Sequence, residues 1–206
     1  LAAALAWNPY GQLLHSERTF FGVYRVTQDV DRNLRFLFHG TTLHGVQAID
    51  GTTRYDPLTY YSREGPFGQA LRSLPGPGTP RNVAVVGLGV GSLAAYAAPG
   101  QTWTFFEIDP AVERIARTPE YFTHLEECGA RCTVVIGDAR VSLGHVQEHT
   151  YDLLVLDAFS SDAIPVHLLT REALDVYVTH LTHDGVLAFH VSNRHLNLSP
   201  LLSSLA

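Results

Sequence analysis

The stretch Val-Ala-Val-Val-Gly-Leu-Gly-Val-Gly at residues 83–91 decides the fold of this chain. Its first four residues form a short apolar run, typical of a strand that is buried on both faces of a parallel sheet. Three glycines at alternate positions follow at once. Glycine lets the backbone approach a ligand, and a helix that begins after the loop would turn its free N–H groups toward that ligand. The pattern predicts a strand, a ligand-binding loop and a helix; a tight turn without a ligand is the alternative.

Four more apolar runs follow this strand, and segments of helical length separate most of them. The clearest helical pattern covers residues 168–181, where apolar residues recur at helical spacing. Strands that alternate with helices predict a parallel sheet with right-handed crossovers. We therefore expect an α/β fold with a doubly wound, Rossmann-like parallel sheet. Its later strands are predicted at residues 102–108, 132–136, 153–156 and 186–191.

The part of the chain that precedes this sheet has a different pattern. Residues 17–49 alternate between apolar and polar, and a polar turn at residues 29–33 interrupts them. This indicates a small antiparallel β region. Residues 57–74 have mixed periodicity and are predicted to be partly helical, and a linker rich in Pro and Gly follows them. We expect a β-hairpin region with an aromatic helical segment at residues 1–74 and a Rossmann-like domain at residues 81–206.

Acidic residues follow the predicted strands at one edge of the sheet. Glu107 lies twenty positions after Gly87, where a carboxylate can accept both ribose hydroxyls. Asp138 follows the third strand, where it can accept from an adenine amine, and Asp157 follows the fourth. The dinucleotide fingerprint needs a third glycine where Ser92 stands, which disfavours a nicotinamide cofactor. The pattern favours a nucleoside without phosphate, such as an S-adenosyl compound, and a sheet of the S-adenosylmethionine-dependent methyltransferase type.

The composition narrows the classes of partner. The chain has 14 basic and 20 acidic residues, a net charge of −6, and every basic residue is arginine. Nucleic-acid binders usually show a basic stripe, so we expect no nucleic-acid partner. The spacing of the eleven histidines and two cysteines does not favour a metal site. We expect Cys128 and Cys132 to be reduced thiols.

Six short segments carry motifs that occur together in one known family: GLGVGS at 87–92, FFEIDP at 105–110, GDAR at 137–140, LDAFSSDAIP at 156–165, HGTTLHGVQ at 39–47 and YDPLTYY at 55–61. They resemble the motifs of the polyamine aminopropyltransferases, of which spermidine synthase is the familiar member. The upstream pair is similar to that family's Leu-Asp-Gly-Val-x-Gln hairpin and Asp-Glu-x-x-Tyr segment. The closest resemblance is to bacterial spermidine-synthase-like proteins that are often fused to membrane-transporter helices.

The resemblance implies transfer of an aminopropyl group to an amine or polyamine, without a metal. The implied donor is decarboxylated S-adenosylmethionine, with S-adenosylmethionine itself as the alternative. A sulfonium donor is already activated, so the protein mainly aligns an amine that must lose a proton.

The resemblance also implies roles for individual residues. The residues alone leave open whether Tyr60 lines the site or belongs to the core, and whether Asp157 only caps loop amides. By resemblance, Asp157 is the catalytic base, and Tyr60 and Asp162 flank the amine acceptor. The implied donor contacts are Gly87, Gly89 and Gly91 in the loop, Glu107 at the ribose, Asp138 and Ala139 at the adenine, and Gln47 near the donor.

Two departures from the family pattern leave other functions open. Val90 stands where the family usually has an Asp that contacts the amino group of the donor. Asp157 and Asp162 are five positions apart, whereas the family spaces this pair by three. The nucleoside site is retained, but the specificity for an aminopropyl donor and a diamine depends on these positions. An S-adenosylmethionine-dependent methyltransferase and a non-catalytic sensor of a nucleoside or polyamine are the alternatives.

The two ends of the sequence suggest hypotheses about a parent chain, a partner and the cellular location. Residues 1–7 are apolar but too few to span a bilayer, and they fit the end of a longer helix of a membrane-embedded parent chain. The sequence stops soon after the fifth predicted strand. We therefore expect further strands, or a partner such as a second copy in a homodimer, to cover the sheet edge. We expect a cytoplasmic location, with the cytoplasmic face of the inner membrane as the alternative.

Overall fold

The structure is a computed structural model that describes residues 11–74, 80–158 and 165–191, together with residues 200 and 204. The apolar segment at residues 1–7 and the acceptor-side candidate Asp162 lie outside the described residues. Within the described ranges, no helix is long and apolar enough to cross a membrane.

The N-terminal part of the chain forms a four-stranded antiparallel sheet in which each strand pairs with the next. The predicted polar turn is present: the Asp29 carboxylate accepts the Arg32 N–H at 3.0 Å, and Asn33 has a positive φ of 57°. Asp and Asn favour such turns because their short side chains bond nearby backbone and Asn tolerates the left-handed conformation. The predicted hairpin region is confirmed, with strands β1 Gln12–Arg18, β2 Val23–Asp29, β3 Leu34–His39 and β4 Thr42–Ala48.

Short helices connect this sheet to the second one. The segment that was predicted to be partly helical contains α1, Pro66–Arg72, and the 3-10 turn Thr59–Tyr61, and another 3-10 turn, Thr52–Tyr55, precedes it. Proline suits the first position of α1 because the N–H that it lacks would have no partner in the first helical turn. The connection brings Tyr61 back against the second sheet, where its hydroxyl meets Asp157.

The second sheet contains β5 Asn82–Val86, β6 Thr102–Glu107, β7 Cys132–Ile136, β8 Tyr151–Leu156 and β9 Leu181–Phe189. All four neighbouring pairs are parallel, and the strand order is β7-β6-β5-β8-β9. The chain therefore winds outward from β5 in one direction and then in the other, which confirms the predicted doubly wound sheet. Such sheets bind ligands beside the carboxyl end of the strand where the winding reverses.

Four α-helices accompany the parallel sheet in the described part of the chain: α2 Pro110–Arg117, α3 His124–Cys128, α4 Ala139–Leu143 and α5 Arg171–His180. Asp109 caps α2 by accepting the Ala111 N–H at 2.9 Å. The prediction of an α-helix after the glycine loop is wrong, because a 3-10 turn, Ser92–Tyr96, takes its place. Pro99 and Gly100 follow closely, and the residue before a proline is pushed out of helical geometry, so too few residues remain for an α-helix.

Alternate residues of β5 face two different cores, which explains the apolar run. Val85 belongs to a buried cluster that includes Val26 of β2 in the N-terminal sheet. Ala84 belongs to a second cluster, with Tyr177 of α5. Both faces of the strand are removed from water, so every position must be apolar. The first cluster also fastens the N-terminal sheet to the parallel sheet.

The two cysteines form a disulfide, so the prediction of reduced thiols is wrong. Cys128 ends α3 and Cys132 begins β7, and the chain turns between them. Their Cα atoms are 5.7 Å apart, within the range that a disulfide can bridge. Both residues are buried, and the bond links the helix to the edge of the parallel sheet.

Candidate active site

A cavity of about 670 Å³ lies at the carboxyl ends of the parallel strands. The N-terminal sheet lines its other side with His39 and His44. Since the carboxyl ends of parallel strands meet at one edge, residues that are far apart in sequence share this cavity. The lining residues that end or follow the five strands in turn are Gly87, Glu107, Gly137, Asp157 and His190.

Two of the three loop glycines reach the cavity, and both need to be glycine. Gly87 has a φ of +101°, and a Cβ there would lie 2.5 Å from the Asp157 carbonyl oxygen. Gly89 has a φ of +55°, and a Cβ there would lie 2.9 Å from the carbonyl oxygen of His44. The loop is thus held between the parallel sheet and β4. Gly91 is not among the cavity-lining residues; it precedes the 3-10 turn and packs toward Leu125.

Glu107 lies beneath the glycine loop, with only 8% of its surface exposed. Its Oε2 accepts the Leu88 N–H at 3.1 Å, and its Oε1 accepts the Asp109 N–H at 3.0 Å. Burial raises the pKa of this carboxyl because the charged form is desolvated, and backbone N–H donors, including these two, oppose that shift. Each oxygen of a carboxylate has a second lone pair, so Glu107 can still accept from a ligand in the cavity.

Asp138 and Ala139 line the cavity where β7 ends. Asp138 caps α4: its Oδ1 accepts the Val141 N–H at 3.1 Å. Its Oδ2 lies 3.2 Å from Nε2 of His167, another lining residue. The predicted adenine-side pair therefore reaches the same cavity as Glu107, with one carboxylate oxygen used by the helix and the other near a histidine.

Asp157 has a defined partner on each carboxylate oxygen. The Tyr61 hydroxyl donates to Oδ2 at 2.5 Å, and Nδ1 of His190 lies 2.6 Å from Oδ1. The Asp157 N–H bonds the Val86 carbonyl at 2.8 Å, which holds the residue directly at the end of its strand. Burial and the nearby carboxylate raise the pKa of Tyr61 well above its ordinary value, so its hydroxyl remains a proton donor.

Tyr60, Tyr61 and His190 surround this carboxylate with rings. The Tyr60 ring lies 4.2 Å from that of Tyr61 and 4.6 Å from that of His190, centroid to centroid. Tyr60 is 38% exposed and lines the cavity, so it belongs to the cavity wall rather than to the core. Aromatic faces attract ammonium groups, and a carboxylate beside them adds to that attraction.

Two positions singled out in the sequence lie away from the cavity lining. The Gln47 amide is buried and bonds the Thr123 hydroxyl at 2.7 Å and the Arg54 carbonyl at 2.9 Å. In the family motif one residue separates Val from Gln, whereas Gln47 follows Val46 directly, and successive strand side chains point to opposite faces. Val90 is 1% exposed and belongs to the core rather than to the cavity wall.

Sequence reasoning missed Tyr61 and His190, the two partners of Asp157. Both carried a usable signal: His190 follows the fifth strand at the edge where the carboxylates lie, and Tyr61 adjoins Tyr60 in the matched segment. His39 and His44 of the N-terminal sheet also line the cavity. In the described ranges, no group of three or more His, Cys, Asp or Glu is arranged to hold a metal ion.

The fixed charges on the described part of the cavity wall are all negative. The described residues that line it include three carboxylates, those of Glu107, Asp138 and Asp157, and no arginine. The chain contains no lysine. A cavity wall of this kind attracts a cationic ligand and offers no fixed positive charge to an anionic group.

No family model matches the chain, but two curated proteins are similar to it in sequence and several solved structures are similar to it in fold. A polyamine aminopropyltransferase of Vibrio vulnificus is 36% identical over 113 residues, covering 52% of this chain and 36% of that protein. An N-terminal histidine N-methyltransferase of Emericella nidulans is 36% identical over 114 residues, covering 53% of the chain and 19% of that protein. The crystal structure of spermidine synthase from Thermotoga maritima superposes with a TM-score of 0.69 at 16% identity, covering 94% of this chain and 64% of that one.

The chain thus spans about a third or less of the curated relatives that it matches and about two thirds of the solved structure. The likeness extends to both sheets, since nearly the whole chain is covered in the superposition. The resemblance read from the motifs is confirmed: this chain is similar in sequence to a polyamine aminopropyltransferase and in fold to spermidine synthase.

Proposed function

We propose that this chain transfers an aminopropyl group from decarboxylated S-adenosylmethionine to the amino group of a cationic amine or polyamine. The observation that carries the proposal is the charge of the cavity wall. Its described residues include three carboxylates and no arginine. Both proposed substrates are cations, the donor through its sulfonium and ammonium groups and the acceptor through its ammonium groups.

The same wall favours a decarboxylated donor. S-adenosylmethionine carries a carboxylate next to its amino group, and this carboxylate would enter a cavity that already holds carboxylates. Burying a charge without a partner of opposite sign is costly. The decarboxylated compound has no such group. The cavity would therefore select it in two ways: its carboxylates attract a cationic donor, and it has no positive charge to pair with the carboxylate of S-adenosylmethionine.

At the nucleoside end, Glu107 is our candidate for the ribose hydroxyls and Asp138 for the adenine amine. Ile108 supports this assignment because it lines the cavity and is 41% exposed, which leaves an apolar surface beside the carboxylates for a base to cover. Gly87 and Gly89 keep the loop free of side chains where the ribose would lie. This assignment uses residues that reach one cavity from the ends of three neighbouring strands, β5, β6 and β7.

At the reacting end, the acceptor nitrogen attacks the carbon that is bonded to the sulfonium sulfur. The new C–N bond forms as the C–S bond breaks, and sulfur keeps the electron pair as the neutral thioether of methylthioadenosine. The acceptor enters as an ammonium, so one proton must leave it to free the lone pair. Asp157, with Tyr60 beside it, would hold that ammonium, and the proton would pass to the pair formed by Asp157 and His190. Alignment supplies the remaining acceleration.

Methyl transfer from S-adenosylmethionine is the second candidate, since part of the chain is similar to an N-terminal histidine N-methyltransferase. The two reactions leave different nucleosides: aminopropyl transfer yields methylthioadenosine, and methyl transfer yields adenosylhomocysteine. The donor that is consumed and the nucleoside that is released therefore separate them.

The test incubates the protein with each donor and a panel of diamines, and follows the nucleosides by mass spectrometry. We expect methylthioadenosine only when decarboxylated donor and amine are both present. Asp157→Asn should abolish it, whereas the control Asp184→Asn, at a side chain that is 94% exposed, should not. Release of adenosylhomocysteine would instead indicate that the protein is a methyltransferase. Binding of methylthioadenosine without turnover of either donor would indicate a non-catalytic sensor.

A further inference from the structure

The place and contacts of His190 go beyond what the family motifs imply. His190 lies just beyond the end of β9, and its N–H bonds the Leu156 carbonyl at 2.9 Å. This backbone bond holds the residue beside the end of β8. The imidazole lines the cavity with 18% of its side chain exposed, and its Nδ1 lies 2.6 Å from Oδ1 of Asp157. A histidine and a carboxylate thus face the cavity as one unit.

The contact determines which nitrogen of the imidazole is basic. A distance of 2.6 Å between an imidazole nitrogen and a carboxylate oxygen requires a proton between the two atoms. With Asp157 ionised, that proton is on Nδ1. The lone pair of the neutral ring is then on Nε2, on the side of the imidazole away from Asp157. The carboxylate therefore selects the tautomer and would stabilise the imidazolium formed when Nε2 accepts a second proton.

Asp157 itself is poorly suited to keep the proton. Each of its oxygens already faces a donor, the Tyr61 hydroxyl on Oδ2 and His190 on Oδ1. An imidazole is the side chain that most often serves as a general base in enzymes.

We propose that His190 is a catalytic residue whose Nε2 accepts the proton of the acceptor ammonium, while Asp157 orients the imidazole. This inference rests on the proposed function. The N–H bond of the ammonium breaks, its electron pair remains on nitrogen, and the proton forms an N–H bond at Nε2. The freed amine then displaces the thioether from the aminopropyl carbon. Release of the proton to water regenerates neutral His190.

The groups that face His190 are compatible with this role. The described contacts of His190 include those with Asp157, which follows β8, and with Tyr60 and Tyr61, which lie in the 3-10 turn before α1. Burial and the Asp157 charge raise the pKa of both tyrosines, so both are neutral at physiological pH. Of these three groups only Asp157 carries a carboxylate, and it faces Nδ1 of His190.

His190→Asn separates a base from a positioning residue. An Asn side chain can place its amide nitrogen where Nδ1 lies and keep the hydrogen bond to Asp157, but it has no basic atom at the position of Nε2. The matched control is His183→Asn, at a side chain that is 98% exposed. Steady-state rates with decarboxylated S-adenosylmethionine and a diamine are measured from pH 6 to 10 for both variants, with methylthioadenosine affinity determined by calorimetry.

We expect His190→Asn to lower kcat at neutral pH by about 10²- to 10⁴-fold, the usual contribution of a general base, and to leave methylthioadenosine affinity unchanged. The loss should shrink as pH rises, and with an acceptor whose amine is already uncharged at the assay pH. A variant with wild-type kcat and pH profile would overturn the inference while leaving the proposed function intact. Absence of turnover by the wild-type chain would instead remove the proposed function and this inference with it.

Discussion

His124 makes the stability of this protein sensitive to mild acid. It lies in the first turn of α3 and is 1% exposed, and its Nε2 has no hydrogen-bond partner among the described residues. Burial penalises the charged imidazolium and lowers the pKa of His124 from 6.5 to about 4. In the unfolded chain the ring is solvated and titrates at its ordinary pKa.

The sign and size of the effect follow from linkage. Between pH 6.5 and about 4 the unfolded chain binds a proton on His124 and the folded chain does not. The free energy of unfolding therefore falls as the pH decreases through this window. The whole shift corresponds to about 3 kcal/mol, at about 1.4 kcal/mol per pKa unit. At pH 5 the part already lost is about 2 kcal/mol.

Urea unfolding at pH 7 and pH 5 measures this loss. His124→Leu removes the titrating group, so the wild type should lose about 2 kcal/mol more than this variant between the two pH values. Every other titrating group is present in both proteins, so its contribution cancels when the two losses are subtracted. This holds even if the substitution changes stability by the same amount at both pH values. The exposed control His183→Asn should follow the wild type. Equal losses in the wild type and His124→Leu would refute the argument that burial suppresses protonation.

Three further predictions concern the candidate site. Glu107→Gln should weaken methylthioadenosine binding about 10- to 100-fold in calorimetry, since a hydrogen bond to a charged group contributes about 1.5–3 kcal/mol; unchanged affinity would remove Glu107 from the ribose site. Tyr61→Phe deprives Asp157 of a donor and should lower kcat/KM by about tenfold or more, with methylthioadenosine affinity as the control that separates catalysis from binding. Gly100→Ala should lower the free energy of unfolding by about 1–2 kcal/mol, because Gly100 has a left-handed backbone conformation that strains an alanine. Gly89→Ala should cost more in the same unfolding assay, because its Cβ would also meet a β4 carbonyl at 2.9 Å; equal costs would contradict the close approach.

The parallel sheet was predictable because its strands are buried on both faces. Such strands leave continuous apolar runs, and the five runs correspond to β5–β9. The 3-10 turn that stands where an α-helix was predicted after the glycine loop was not predictable from the glycines, since the nearby Pro99 limits the length of this segment. The pairing of Cys128 with Cys132 was also missed, because whether two nearby thiols meet depends on the turn between them.

Part of the candidate site was predictable for a similar reason. Glu107, Asp138 and Asp157 were identified because the carboxyl ends of parallel strands meet at one edge, and all three line the cavity. Gln47 was assigned to the donor by resemblance alone; in the structure its side-chain amide bonds Thr123, and it is not among the residues that line the cavity. A one-residue shift reverses the face of a strand, and a motif match with an offset does not reveal that.

The sequence by itself determined the strand-and-helix pattern and which strand ends carry acidic side chains, because both follow from local periodicity and burial. Only the tertiary structure decided that Tyr61 and His190, which are 96 and 33 positions from Asp157, hold its two carboxylate oxygens. Those contacts depend on how the 3-10 turn packs on the parallel sheet and on β9 pairing beside β8. Such packing arises from the whole core, so no local pattern in the sequence reveals it.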